Sequence, residues 1–207
     1  MSSIQPSLLA SGPLAIDPGA TWERVELGEG AWVDVARDWL GGADQLCQQL
    51  IEQVDWVHHR RWMYDRVVDE PRLTRWFSRE ETLPDPMLDE YRTAMTERYL
   101  PGGSTGFGPI GLNYYRDGSD SVAWHADREL RHLDDTLIAI LTLGAARPFL
   151  LRPTGGGHSI DIRPASGDVL VMGGTSQLHW QHAVPKTASC PGPRISASIR
   201  WVRRPTE

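Results

Sequence analysis

Residues 194–202 read Arg-Ile-Ser-Ala-Ser-Ile-Arg-Trp-Val. Arg194, Ser196, Ser198 and Arg200 alternate with Ile195, Ala197, Ile199 and Trp201. Successive side chains of a strand leave opposite faces, so this alternation gives one polar and one apolar face. Two readings follow: an ordinary strand with a wet face, or a strand whose polar face turns into a barrel that holds an anionic ligand. At about 3.3 Å per residue the Cα atoms of Arg194 and Arg200 lie roughly 20 Å apart. Two inward-leaning arginines at that spacing could grip opposite ends of a short dicarboxylate, and a bidentate guanidinium is the natural partner of a carboxylate.

Outward from this strand, the chain after residue 110 is a series of short runs of β-formers: Gly111–Tyr115, Leu137–Leu143, Phe149–Arg152, Ser159–Arg163 and Val169–Met172. Asp117-Gly118, Gly155-Gly156-Gly157 and Ser166-Gly167-Asp168 separate them. Regularly spaced short strands with such turns predict a sandwich or barrel. Further upstream, Leu46, Leu50, Val54 and Val57 recur at steps of three and four, one face of a helix over 44–57. Asp85-Pro86 starts a second helix, with Asp as cap and Pro at the first position, and Pro101-Gly102-Gly103 stops it. Both helices are expected on one outer face, with loops and short hairpins between them. Residues 1–43, which hold Trp22 and Trp32, read as an extended arm lying on the core. The expected organisation is one domain over 1–207, with helices in 44–103 and the β core in 108–203.

Composition bounds the function. The chain has 207 residues, 40% hydrophobic and 23% charged, enough for one full-sized core and too apolar for global disorder. No run of apolar residues approaches the length of a membrane span, and the first twenty residues lack the basic and apolar regions of a secretory leader. Two cysteines, Cys47 and Cys190, cannot build a disulfide framework or a zinc finger, so a reducing cytoplasm is expected. A net charge of -6 argues against nucleic-acid binding by bulk charge but leaves room for a local basic surface.

Trp124-His125-Ala126-Asp127 sets an imidazole and a carboxylate two residues apart, on one side of an extended segment. Downstream come His179 and His182; three residues apart, they would face opposite ways in a strand, so one of them is expected as a third ligand. Two His and one carboxylate with open positions form the ligand set of non-haem Fe(II) oxygenases. Three octahedral positions then remain, two for a 2-oxo acid and one for O₂. Asn113 and Tyr115 share a strand face and offer an amide and a phenol to carboxylate oxygens.

The order of these elements is more specific than any one of them. LNYYRDGSDSVAWHADRE, DDTLIAILTLGAARPFLLR, GDVLVMGGTSQLHWQHAVPK and PRISASIRWV, with a weaker match at DEPRLTRWF, resemble the AlkB family of Fe(II)- and 2-oxoglutarate-dependent dioxygenases over about residues 58–203. The resemblance implies an α+β, mainly β fold: a double-stranded β-helix (jelly-roll) core with flanking N-terminal helices. It implies His125, Asp127 and His182 as iron ligands, His182 being chosen from the WQHAVPK stretch. Asn113, Tyr115, Arg194 and Arg200 match the 2-oxoglutarate contacts, with Ser198 as a further candidate. The sequence departs from the family where Ser196 replaces an Asn, and where Arg128 interrupts an acidic stretch and leaves Glu129.

On the substrate side, residues 58–79 hold six arginines against three acids, interleaved with Trp62, Tyr64, Trp76 and Phe77. A solvated loop with aromatics packed beneath it has this composition. With the resemblance, 58–80 reads as a nucleotide-recognition lid in which Arg72 and Trp76 contact substrate, joined by Glu129 and Arg152. The implied activity is oxidative demethylation of N-alkylated bases such as 1-methyladenine or 3-methylcytosine in DNA or RNA, single-stranded or with a flipped base. Fe(II), 2-oxoglutarate and O₂ are consumed or held, and the protein is expected to act as a monomer, without a membrane. Hydroxylation of a protein side chain or small metabolite is the competing enzymatic reading; a non-enzymatic sensing module is the third.

Overall fold

The protein is described here by a computed structural model covering residues 12–63, 65–100, 102, 105–189 and 192–202. Residues 1–11 of the expected arm, Tyr64 and Cys190 lie outside the described residues, as do the side chains of Arg61, Trp62 and Arg66.

The N-terminal elements are β1 (Ala15–Ile16), β2 (Trp22–Gly28), β3 (Ala31–Ala36), β4 (Leu40–Gly41) and α1 (Ala43–Gln53). A long hairpin, β5 (Val57–Met63) and β6 (Arg66–Phe77), leads to α2 (Met87–Tyr99). Then come β7 (Ile110–Tyr115), β8 (Val122–His125), β9 (Thr136–Gly144), β10 (Leu150–Pro153), β11 (Ile160–Asp161) and β12 (Val169–Gly174). The chain ends in α3 (Ser176–His179), β13 (Trp180–Val184) and β14 (Arg194–Val202).

Two antiparallel sheets form the jelly roll. The major sheet has the order β2-β3-β12-β9-β14-β7-β6-β5 and the minor one β11-β10-β13-β8. At the centre of the major sheet β9 is buried along its whole length, as a strand covered on both faces must be. One face carries Leu141, Leu143, Ile195, Ala197 and Ile199 against Leu46 and Leu50 of α1 and Leu88, Tyr91 and Met95 of α2. The other carries Ile138, Ile140, Leu170 and Met172 against Phe149, Leu151 and Val184 of the minor-sheet side. Each fully buried side chain of this size contributes roughly 1.5–3 kcal/mol. Both helices therefore cover the outer face, and the polar side of β14 looks between the sheets. Asp85 Oδ1 accepts the Met87 N–H at 2.8 Å, which opens α2 where the Asp-Pro pair predicts it.

Two expectations are corrected. The segment read as an arm is not merely laid on the core: β2 and β3 form the edge of the major sheet, β3 pairing with β12 from Ala31↔Gly174 to Ala36↔Val169. The run Ala31–Ala36, AWVDVA, is itself a strand signal; what no local segment shows is the pairing partner, more than 130 residues away. The stretch between the helices, read as loops and short hairpins, is largely one long hairpin whose β6 pairs with β7. The β core thus draws on residues well before 108.

Candidate active site

β8 and β13 are neighbours in the minor sheet, and their register sets His125 directly opposite His182. The two imidazole centroids lie 4.2 Å apart. Asp127 follows β8 on a turn closed by Leu130 N–H and Arg131 N–H donating to its carbonyl, with Leu130 buried as the anchor. One ligand atom from each of His125, Asp127 and His182 lies within 4.8 Å of the others. His179 is not part of this group; it ends α3 and its Nδ1 lies 3.3 Å from Glu29 Oε2. The strand spacing considered for the two histidines does not apply, because a helical turn precedes β13.

The protonation states suit a cation. His125 Nδ1 lies 2.9 Å from the Ala123 carbonyl, which can only accept, so Nδ1 carries a proton and Nε2 is the nitrogen available to a metal ion. Burial, then the neighbouring His125, pulls His182 down to about 3, leaving it neutral. Burial pushes the Asp127 carboxyl up, but the Arg200 guanidinium and the two imidazoles outweigh it and hold it below its ordinary value. Two imidazoles, that of His182 held neutral, and an ionised carboxylate fit Fe(II) with three positions left open. Gln177 Oε1 accepts the Asp127 N–H at 2.9 Å and fixes the turn.

A cavity of about 1240 Å³ opens onto these ligands. Asn113, Tyr115, Ser196, Ser198 and Arg200 line it from the major sheet, and Trp124, Gln181 and Val184 from the minor sheet. Arg194 lies deeper and is fully buried. Among the described residues its NH1 and NH2 make only long bonds of 3.4 Å, to the Arg147 carbonyl and Thr142 Oγ1, and its Nε has no partner. Burial pulls this guanidinium down to about 10. Arg200 NH1 is also buried without a partner. Burial pushes the Tyr115 phenol up, opposed by the guanidiniums of Arg72, Arg194 and Arg147, so Tyr115 keeps its O–H as a donor. One fully buried, poorly paired guanidinium, Arg194, and the spare buried NH1 of Arg200, whose Nε already pairs with Asp127, beside a phenol, an amide and two serines fit a dianion of the size of 2-oxoglutarate.

The substrate candidates are distributed unevenly. Arg72 lines the main cavity and a second one of about 290 Å³ that also holds Trp76, Gly111 and Arg200. Trp76 is 50% exposed. Its ring lies so close over Gly111 that a Cβ there would come within 2.7 Å of it. Arg152 does not itself line the cavity; it stacks over Trp124 at 4.1 Å and bonds Gln181, and those two do. Glu129 is exposed on the turn, outside the lining, whereas Arg128 and Arg131 from the same turn are within it. The basic stretch is less free than its charge suggests. Arg60 pairs with Asp69, Arg75 with Glu81, and Arg79 donates to the carbonyls of Thr105, Gly106 and Phe107.

Sequence reasoning missed Gln177 and Arg147. Arg147 is buried and donates to the carbonyls of Asp117, Asp120 and Pro185, tying the β7–β8 loop to the end of β13. An arginine within the apolar run LTLGAARPFLL was the available signal; Gln177 had none.

This metal-ligand geometry within a jelly roll is that of an oxygenase, and the chain belongs to the 2OG-Fe(II) oxygenase superfamily, whose profile matches residues 44–200. It is similar to alpha-ketoglutarate-dependent dioxygenase alkB homolog 3 of Mus musculus, 32% identical over 79% of this chain and 63% of that one. The DNA oxidative demethylase ALKBH2 of Arabidopsis thaliana is 34% identical over 56% of this chain and 44% of its own length. The chain thus spans just under two thirds of the mouse relative. A prolyl-4-hydroxylase of Pseudomonas putida shares the fold, with a TM-score of 0.57 at 15% identity, over 90% of this chain and 95% of that one.

Proposed function

We propose that this chain oxidatively demethylates N-alkylated nucleobases, such as 1-methyladenine and 3-methylcytosine, in DNA or RNA. The observation that carries the reading is the half-exposed Trp76, 5.5 Å from the guanidinium of Arg200, which in turn bonds Asp127. An exposed indole beside a cation and next to the metal ligands is a stacking platform for an unstacked base. The relatives named as DNA oxidative demethylases and alkB homologues support the same substrate class.

When bound, Fe(II), 2-oxoglutarate and O₂ supply oxidation of the N-methyl group to N-hydroxymethyl, which leaves as formaldehyde, while 2-oxoglutarate becomes succinate and CO₂. His125, Asp127 and His182 would hold the ion, with His125 aimed by its bond to the Ala123 carbonyl. Arg194, Arg200, Asn113, Tyr115 and Ser198 would bind the cosubstrate. A base inside a duplex cannot reach this cavity, so the substrate is single-stranded or has the base flipped out. The reading includes a monomer acting in the cytoplasm on alkylation damage; the scarcity of cysteine supports the compartment and the relatives' names support the lesion class.

The test is formaldehyde release with Fe(II), 2-oxoglutarate and ascorbate from matched single-stranded DNA and RNA carrying either lesion. Formaldehyde in proportion to succinate from one polymer is expected. Succinate without formaldehyde from any oligonucleotide would overturn the reading and turn the search to protein side chains and small metabolites.

A further inference from the structure

Arg72 belongs by sequence to the basic stretch assigned to substrate, yet its guanidinium turns inward. On β6, Thr74 stands opposite Asn113 of β7. Arg72, two residues back on the same face, is the diagonal neighbour of Asn113, within reach of a long side chain. Its Nε donates to Asn113 Oδ1 at 3.0 Å, and its NH2 lies 3.5 Å from Glu70 Oε2. The side chain is only 17% exposed.

A guanidinium has five donors and no acceptor, whereas a carboxamide has an oxygen that accepts and an NH₂ that donates. Arg72 therefore decides which way the Asn113 amide points. The reverse orientation would set donor against donor. With Oδ1 taken, Nδ2 is left to donate, and among the described residues nothing accepts from it. Asn113 lines the main cavity together with Tyr115, Ser196 and Ser198.

We propose that Arg72 is a positioning residue for 2-oxoglutarate, presenting the Asn113 Nδ2–H donors to the cosubstrate, and not a nucleic-acid contact. The inference rests on Asn113 as a cosubstrate contact and is independent of which substrate is oxidised. The hairpin that carries Trp76 therefore also carries a member of the cosubstrate pocket.

The test measures equilibrium binding of 2-oxoglutarate to the Fe(II)-loaded protein without oxygen, by calorimetry, beside KM values for 2-oxoglutarate and methylated oligonucleotide. Arg72→Gln is expected to weaken 2-oxoglutarate about tenfold, the worth of one well-placed polar contact. Arg72→Lys, which can still donate to Oδ1, recovers most of that loss, and the oligonucleotide KM stays within about twofold. In an Asn113→Ala background Arg72→Gln has little further effect, as expected of two residues acting as one unit. Unchanged 2-oxoglutarate affinity with a raised oligonucleotide KM would overturn the proposal, and so would a full loss that persists in the Asn113→Ala background. Should Arg72→Gln fail to fold, Asn113→Asp decides: it keeps the acceptor for Arg72, removes the donors, and should weaken 2-oxoglutarate at least as much. Unweakened binding there also overturns the proposal. Should no oligonucleotide be turned over even by the wild type, the demethylase reading falls while the binding arms still stand.

Discussion

Arg200 Nε donates to Asp127 Oδ2 at 2.5 Å, while NH1 of the same guanidinium is buried with no partner among the described residues. One side chain thus serves the metal ligand and faces the cosubstrate pocket. Arg200→Gln should therefore weaken both Fe(II) and 2-oxoglutarate, each about tenfold. Arg194→Gln should weaken 2-oxoglutarate alone. Anaerobic titrations with each ligand check this, and a selective loss of 2-oxoglutarate in both variants would contradict it.

Arg194 is a fully buried cation held by two long hydrogen bonds. Replacing a poorly paired buried charge with an apolar side chain of similar volume is often neutral or stabilising. Arg194→Met should keep or raise the melting temperature of the ligand-free protein. Addition of 2-oxoglutarate at a hundred times its Kd stabilises the wild type by about 2.7 kcal/mol, and should leave the variant unmoved. Thermal melts with and without 2-oxoglutarate read both effects at once.

Gln177 holds the turn of Asp127 through its backbone N–H. Removing such support from a ligand typically costs ten- to hundredfold in metal affinity. Gln177→Leu should lose about that much Fe(II) affinity with the melting temperature of the metal-free protein nearly unchanged. His182→Ala, which removes a ligand, should lose more.

Asp120 is buried and accepts from the Arg116 guanidinium and backbone N–H. Burial pushes its carboxyl up, but these bonds outweigh it and the folded value lies below the ordinary one. A group that releases its proton more readily when folded stabilises the fold fully above its unfolded pKa of about 3.9, and that contribution fades as pH falls through the folded value. Asp120→Asn should cost about 1–3 kcal/mol at neutral pH, and the two stability curves should converge in acid. Denaturant melts across pH check the sign.

Gly111 lets the indole of Trp76 lie flat against β7. A methyl group there would displace the ring. Gly111→Ala is expected to raise the KM for a methylated oligonucleotide severalfold, as a stacking contact of about 1–3 kcal/mol is weakened. The indole itself should respond by a change in tryptophan fluorescence. An unchanged KM with a changed fluorescence would remove Trp76 from the substrate path.

Much of the site was legible because strand geometry is local. The polar face of residues 194–200 follows from period two and needs no knowledge of the partner strands. The convergence of His125 and Asp127 is local too, though it comes from the end of β8 and the turn that follows it, not from strand alternation. The opening of α2 at Asp85-Pro86 is equally local, since a cap is decided by its own turn.

Pairing across the chain was not written in any one segment. His182 rather than His179 stands by His125 because β13 and β8 are hydrogen-bonded in that register. The WQHAVPK resemblance pointed to the same residue without the physical reason. Residues 22–36 became sheet because β12 offered an edge, and Arg72 turned inward because Asn113 lay within its reach. The sequence alone determined which side chains share a face and which groups could ligate iron or a dicarboxylate. Only the tertiary structure decided which faces meet, because burial and partner choice depend on contacts between residues far apart in the chain, whereas the alternation of side chains along a strand does not.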